Sequence, residues 1–567
     1  MLSAAARQQE RGSAPLPPET PIVITNPKST GQLVKRWMSA HWRPIAFTLI
    51  ALVFLANALI YFAWGEDDPG IVFRYAVNLA EGRGLVYNPG ERVEAFSDFG
   101  YVILMAIAYR ALGLSGRPEA LFLASKYVGL VSSVIALFLT YVIGTRYLRL
   151  ESRWGLFACL MLAASGPFAI WSVGALETNF LLCILLVSLF AYLGYVEHRR
   201  RSPKGSTAVW AAFLCGTSLS LLILVRADAF VLVAIIGAHW SFTRLRSKQI
   251  CRADWPVLLL PIVTALTYEA WRLWYYGYPL PNSYYAKVQP SLSPASMAGT
   301  YSGYFEPYLR TLGGAGLVLG LAAVCVYRDE KHASRFLAFV LAAYSAYVLL
   351  VGGDWMAGYR FLVPIVPILL LLIINGARYV KRGLGVELPK SRAVTVLSVC
   401  VAILLAVQQM NAGLGIMRRW RKHFAPWYAN PTFDVREMVP YWEISTWLRQ
   451  HSNDSALLAT HQAGFIPLLT GLRTLDTGGL ANEDLAHMPK DPEAVMTARA
   501  GAVHRLLESP PSTPAQAYIL EQRPDLYVVF SRYNRTWTGT AKYLAGGEYV
   551  LLESDLYGFD VYVPAGG

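Results

Sequence analysis

Charge is what this chain has least of. Only 15% of its 567 residues are charged, against 55% hydrophobic and 13% aromatic, and the mean hydropathy is +0.37. A soluble fold keeps most Lys, Arg, Asp and Glu on its surface, and this composition cannot supply such a surface. Cysteine is equally sparse. There are six, all in or beside apolar segments and none beyond Cys400. None has metal-ligand spacing, so neither a disulfide framework nor a cysteine–metal module is expected. The nine histidines show no metal-binding spacing either. Gly82-x-Gly84 lacks the third glycine and the preceding strand of a dinucleotide fingerprint. Acidic residues are outnumbered 37 to 50, giving a net charge of +13. That excess suits nucleic acid or an anionic surface. Here the basic residues collect in short loops between apolar runs, which marks topology and leaves no nucleic-acid partner expected.

What is present in abundance is apolar sequence of spanning or near-spanning length, as in a polytopic α-helical membrane protein. Residues 1–43 are rich in Pro, Ser and Gln and carry Lys28, Lys35, Arg36 and Arg43, as a disordered cytoplasmic tail would. The first run, Pro44–Trp64, has no small-residue cleavage site and reads as an uncleaved anchor. Ten further spans are predicted at Ala120–Ile143, Trp154–Val173, Asn179–Val196, Val209–Val225, Ala227–Phe242, Trp255–Trp274, Leu312–Tyr327, Phe336–Val351, Phe361–Ile374 and Val394–Met410. Basic clusters follow alternate spans: Arg146/Arg149/Arg153, Arg199–Arg201/Lys204, Arg244/Arg246/Lys248/Arg252, Arg328/Lys331/Arg335 and Arg378/Lys381/Arg382. Eleven spans with the N-terminus inside put every cluster on one side. Phe99–Leu114 must then not cross; it reads as an interfacial helix, with a second at Ile71–Leu79. The expected organisation is a membrane domain over 44–410, with a first outer loop at 65–119, and a C-terminal extracytoplasmic domain over 411–567. Short apolar runs at Ala456–Thr460, Leu526–Phe530 and Tyr549–Leu552 predict strands, so the C-terminal domain is expected to be α/β.

Charged residues within membrane segments are costly and usually functional. Lys126, Glu177, Arg226, Asp228, Glu269, Arg272, Asp354 and Arg360 all map to the outer ends of spans. With Asp67 and Asp68 they form one polar layer. A transporter places such groups near the bilayer midplane, an interfacial enzyme at the surface. Asp67-Asp68-Pro69 is also a helix start, with Asp68 as N-cap and Pro69 in the first turn. That leaves Asp67 free as a general base toward a sugar hydroxyl. Glu94 closes the acidic stretch Glu91-Arg92-Val93-Glu94. Glu177 has a rival reading as a solvated loop acid, and Arg226-Ala227-Asp228 as a local ion pair. The segment Pro281-Asn282-Ser283-Tyr284-Tyr285-Ala286-Lys287 offers a lysine and several hydroxyls to a phosphate and a sugar. Asp354-Trp-Met-Ala-Gly-Tyr-Arg360 pairs an acid with an arginine, whose forked donors suit phosphate.

These pieces together resemble the polyprenyl-phosphate-sugar-dependent glycosyltransferases of the GT-C fold. Within them, the ordered set is most similar to the terminal β-arabinofuranosyltransferases of mycobacterial cell-wall synthesis. The stretches that carry the likeness are Asp67-Asp68, Gly84–Ala95, Gly174-Ala-Leu-Glu177, Leu224-Val-Arg226, Tyr275-Tyr-Gly277 through Lys287, Gly352-Gly-Asp354, and Leu475-Asp476 through Gly479-Leu480 with His487. Two depart from the family pattern: Arg226 is followed by Ala-Asp in place of Pro-Glu, and Asp354-Trp-Met-Ala-Gly-Tyr-Arg replaces an Asp-Phe-Met-x-Gly-Arg form. The resemblance implies a polyprenyl-phospho-sugar donor such as decaprenyl-phospho-arabinofuranose, a glycan acceptor, and a centre on the periplasmic face of a bacterial inner membrane. It implies Asp67 as base in an inverting displacement, with Asp68 and Glu177 holding the base and sugar. Glu94, Arg226, Asp228, Tyr284, Lys287, Asp354, Arg360 and His487 would bind substrate. A lipid monophosphate leaving group demands no cofactor, although the acid clusters could hold a divalent cation. The rival readings are the same chemistry on an exported protein or lipid, a lipid-sugar transporter, and a non-catalytic assembly protein.

Overall fold

The computed structural model describes residues 27–201, 206–247, 251, 254–287, 294–328, 332–354, 356, 358–385, 391–424, 439–488, 513–530 and 549–565. All eleven apolar runs are helical. Among the described residues, seven helices are long and apolar enough to cross a membrane, and nine spans result if each of two bent pairs counts as one. The remaining two, Ala229–Ser247 and Trp255–Tyr276, have 19 and 22 residues. The first bent pair, Ser152–Ala164 and Gly166–Ser172, turns by 63°. Pro167 sits in the first turn beyond the break, where it has no N–H to continue the preceding ladder. The second pair, Pro294–Thr311 and Ala315–Arg328, turns by 74°.

Two expected boundaries move. The first helix runs Pro27–Leu59, so regular backbone begins inside the segment expected as a tail; Pro is at home in a first helical turn. The last long helix runs Arg392–Phe424, past the expected domain boundary at 410. The two short helices of the first loop also differ from each other. Phe99–Ala111 has 13 residues, about 20 Å of helix against the ~30 Å hydrocarbon layer. Asp68–Ala80 is buried at 11 of its 13 positions. It is packed inside protein and is not the interfacial element expected.

The C-terminal domain is built on a five-stranded sheet. Its strands are β1 (Leu457–Thr460), β2 (Arg473–Asp476), β3 (Leu526–Phe530), β4 (Tyr549–Leu556) and β5 (Phe559–Pro564), in the order β2-β1-β3-β5-β4. The first three are parallel and the last two antiparallel to their neighbours. The register pairs Thr460 with Asp476, so the carboxyl ends of β1 and β2 lie side by side.

The first loop and this domain share one core, in which Phe73, Tyr75, Phe96 and Tyr101 are buried in the same cluster as Ile444, Leu458, Phe465, Val528 and Phe559. Arg74 is a staple across this junction. It donates to the carbonyls of Tyr87 (2.8 Å), Leu472 (2.7 Å) and Pro467, and to Asn88 Oδ1 (3.0 Å). Asn88 in turn exchanges hydrogen bonds with the Thr474 backbone, at 2.8 and 3.0 Å, extending the β2 edge. Each such bond is worth about 1 kcal/mol, and more for the charged guanidinium. Gly70 meets Gly464 so closely that a Cβ on Gly70 would lie 2.3 Å from the Gly464 carbonyl carbon. The C-terminal domain is therefore clamped onto the loop that carries the acidic pair.

Candidate active site

The acidic pair sits where the first span gives way to the Asp68–Ala80 helix. Asp67 occupies the N-cap position of that helix without a side-chain cap bond to it. Its carboxylate instead accepts the backbone N–H groups of Gly464 and Phe465, each at 2.8 Å, at the start of the Phe465–Thr470 helix of the C-terminal domain. Burial pushes the Asp67 carboxyl up to about 7 against these two amides, and Asp68 and Asp476 add to the rise. Asp68 was expected as the cap. It is the first helical residue, and its carboxylate faces Lys287 Nζ at 3.2 Å. Their side chains are 25% and 33% exposed, so a substrate can reach this pair.

Behind Asp68 lies a cluster drawn from three loops. Arg226 Nη1 is 2.9 Å from Glu177 and its Nε is 3.0 Å from Asp228. Burial works against the Arg226 charge, but Asp228 and Glu177 outweigh it and hold the guanidinium protonated. Arg360 Nε is 2.7 Å from Asp354. Both guanidinium groups lie against the Phe361 ring, at 5.1 and 5.4 Å. Arg360 is within electrostatic reach of Arg226, Glu177 and Asp68, which ties the cluster to the acidic pair. Two non-glycine residues with positive φ flank it: Ala175 (61°), two before Glu177, and Tyr359 (52°), next to Arg360. Such strain persists where surrounding structure over-determines it, commonly at functional sites.

Sequence reasoning missed three residues as site members. Asp98 is buried against Glu177. Burial, then the Glu177 charge, push its carboxyl well above the ordinary range, with Arg226 opposing. Asp476 and His461 stand at the ends of β2 and β1. Asp476 stood in a stretch that carries the family likeness, whereas the signal for His461 was only its place one residue past a predicted strand.

Other expected residues fall outside the cluster. Glu94 is a buried strut, 3.1 Å from Arg272 and 3.3 Å from the Tyr268 hydroxyl. Burial pushes it up to about 7 despite Arg272. Its backbone carbonyl accepts the Asn282 N–H at 2.8 Å, anchoring the short Asn282–Lys287 helix. Tyr284 is half-buried on that helix, its ring 5.8 Å from Tyr285. His487 is exposed at a rim, 4.8 Å from Tyr278 and 4.5 Å from Tyr285 between ring centres. Trp355 and Ala357 of the Asp354–Arg360 motif lie outside the described residues. Among the described residues, no group of three or more His, Cys, Asp or Glu is arranged to hold a metal ion.

Comparisons with known proteins bear on the fold. A family profile described as a domain of unknown function (DUF8728) matches residues 432–562. The chain is 28% identical over 361 residues to a terminal beta-(1->2)-arabinofuranosyltransferase of Corynebacterium glutamicum, covering 56% of this chain and 49% of the relative. It is 27% identical over 242 residues to the protein of the same name from Mycobacterium tuberculosis, covering 40% and 36%. The chain thus spans half or less of the length of these curated relatives. Among solved structures, ArnT from Cupriavidus metallidurans bound to undecaprenyl phosphate superposes with a TM-score of 0.56 at 12% identity, over 92% of this chain and 98% of that one. The archaeal oligosaccharyltransferase AglB from Archaeoglobus fulgidus, in complex with an inhibitory peptide and a dolichol-phosphate, superposes with a TM-score of 0.53 at 11% identity, over 88% and 70%. The chain is a multi-pass membrane protein with the GT-C fold.

Proposed function

We propose that this protein is a membrane glycosyltransferase that moves a sugar from a polyprenyl-phosphate donor to a hydroxyl of a cell-envelope glycan. The observation that carries the reading is the meeting of Asp67 and Asp68 with Lys287, Arg226 and Arg360 at one end of the bundle, under a clamped C-terminal domain. The names of the sequence relatives favour D-arabinofuranose as the sugar. The basic loops gather at the opposite end, which favours a centre facing the periplasm across a bacterial inner membrane.

In this mechanism Asp67 takes the proton of the acceptor hydroxyl. The oxygen attacks the anomeric carbon as the bond to the phosphate oxygen breaks, and polyprenyl phosphate leaves with the bonding pair. A carboxyl raised to about 7 is well matched to that task. All three cations are paired with acids, and Lys287, the most exposed of them, is the group best placed to meet the leaving phosphate. One observation favours a second assignment within the same reaction. Both Asp67 oxygens accept backbone amides, whereas Asp68 is open beside Lys287, so Asp68 would be the base and Asp67 the latch.

The test is transfer by the full chain in lipid, from a synthetic prenyl-phospho-arabinofuranose to a short arabinan. Asp67→Asn and Asp68→Asn are compared with wild type. Collapse in one with normal folding names the base. Transfer to a protein or lipid acceptor alone would move the function to that acceptor class. Movement of the lipid-sugar without its consumption would make the protein a transporter.

A further inference from the structure

The C-terminal domain grips Asp67 directly and holds the helix that carries Lys287, the partner of Asp68. One grip is the Gly464–Phe465 turn on Asp67. The other is Asn282, whose side chain donates to the carbonyls of Gly479, Leu480 and Asn482 at 2.9, 2.9 and 3.1 Å, fixing the helix that ends in Lys287. The first turn begins just after His461. The second is folded by Asp476, whose carboxylate accepts the Gly478 and Ala481 N–H groups, each at 2.8 Å. Both therefore emerge from the carboxyl ends of the parallel strands β1 and β2, where α/β sheets characteristically hold ligands.

The His461 ring fills the space left by a missing side chain. A Cβ on Gly478 would lie 3.0 Å from His461 Cε1, 3.1 Å from Nδ1, and 3.2 Å from Asp476 Oδ1. The charged groups in reach of the imidazole are Asp476, Lys287 and Asp68. Those in reach of Arg360 are Asp354, Arg226, Glu177 and Asp68. Asp68 is common to both sets, and the Gly464 N–H that holds Asp67 lies three residues past His461, so the β1 end carrying His461 meets the acidic pair from the C-terminal domain while the arginines lie on the bundle side. A donor anchored by a lipid tail enters from the bundle side. The opposite wall is left for the acceptor.

We propose that the carboxyl ends of β1 and β2 form the acceptor subsite, and that His461 holds the attacking sugar hydroxyl against the acidic pair. This rests on the glycosyl-transfer reading. Burial lowers the imidazole below its ordinary value, with Lys287 acting in the same sense and Asp476 and Asp68 opposing, so at neutral pH the ring has a lone pair for a hydroxyl donor.

The experiment measures binding of a synthetic arabinofuranosyl pentasaccharide to the full chain in nanodiscs by saturation-transfer NMR, alongside separate KM values for acceptor and donor. His461→Phe is expected to weaken acceptor binding and raise acceptor KM about tenfold, the loss of one neutral hydrogen bond, with donor KM unchanged. His461→Gln, which keeps donor and acceptor atoms, is expected to recover part of the loss and to control for folding. Unchanged acceptor affinity in both variants overturns the proposal. So does an equal loss for donor and acceptor, which marks a structural role, or failure of the wild type to bind the oligosaccharide. Binding that depends on His461 without any transfer would sustain the subsite and sink the glycosyl-transfer reading instead.

Discussion

The two ends of the helix bundle each bury arginine–carboxylate pairs, and they differ in how well those pairs are satisfied. At the basic end, Arg199 forks onto Asp254 at 2.6 and 2.9 Å, and Asp254 also accepts the Tyr195 hydroxyl at 2.5 Å and the Cys251 N–H at 3.0 Å. At the acidic end, Asp228 Oδ1, Asp354 Oδ2 and Arg360 Nε are buried without a hydrogen bond of sound geometry, although their ion-pair partners are close. A satisfied buried pair is a structural joint. A group of buried polar atoms left incomplete together is what a site looks like before its ligand supplies the missing partners.

Substitutions at the two ends should therefore fail in different ways. The largest effect is expected from the acidic pair. Removing the base costs roughly 10²–10⁴-fold in kcat, so Asp67→Asn should lose transfer with its circular dichroism retained, and, keeping one acceptor for two amides, should lose about 1–3 kcal/mol of stability. A normal rate in Asp67→Asn with collapse in Asp68→Asn would reassign the base. At the basic end, Arg199→Met leaves Asp254 buried and unpaired. It is expected to cost about 3–5 kcal/mol of stability and to leave kcat of the folded fraction unchanged; a selective loss of kcat would erase the contrast. Between these lies the clamp. Gly464 is so close to Asp67 that a Cβ on it would sit 1.9 Å from the Asp67 carbonyl oxygen. Gly464→Ala should loosen the C-terminal domain, read as faster amide exchange over 456–476, and reduce transfer together with it.

Smaller effects sharpen the picture. Lys287→Met is expected to slow transfer about tenfold through lost charge on the leaving phosphate. Its melting temperature should hardly move, because an exposed ion pair contributes only ~0–1 kcal/mol. With Asp67 as base, kcat/KM should rise with pH through about 7 and level off above it. The sign for stability is opposite. A carboxyl raised from its ordinary 3.8 to about 7 contributes stability below the lower value and loses it as pH rises through the upper one. Asp67→Asn should accordingly flatten the pH dependence of unfolding between those values.

The strands show where legibility ends. β1, β3 and β4 were visible as apolar runs between turn signals. β2 was not, because Arg473-Thr-Leu-Asp476 is four residues long with charged ends and exists by pairing with β1. β5 had a usable signal, the alternation Phe559, Val561, Val563 after a glycine turn. Glu94 and His487 both stand in stretches that carry the family likeness; the structure sets Glu94 against Arg272 and Tyr268, and His487 in an aromatic rim with Tyr278 and Tyr285.

The sequence by itself determined that this chain is a membrane protein, where its helices run, and which end of the bundle is basic. Hydropathy, proline position and loop charge are local quantities, and each acts within about 20 residues. It also marked Asp67 and Asp68 as a pair. Only the tertiary structure decided how the pair is divided, with Asp67 turned toward amides 397 and 398 positions away and Asp68 toward Lys287, 219 positions away. The same holds for Asp98 facing Glu177 and for His461 reaching the acidic pair. Those environments are set by burial and by charges brought together across the fold, and no local pattern records them.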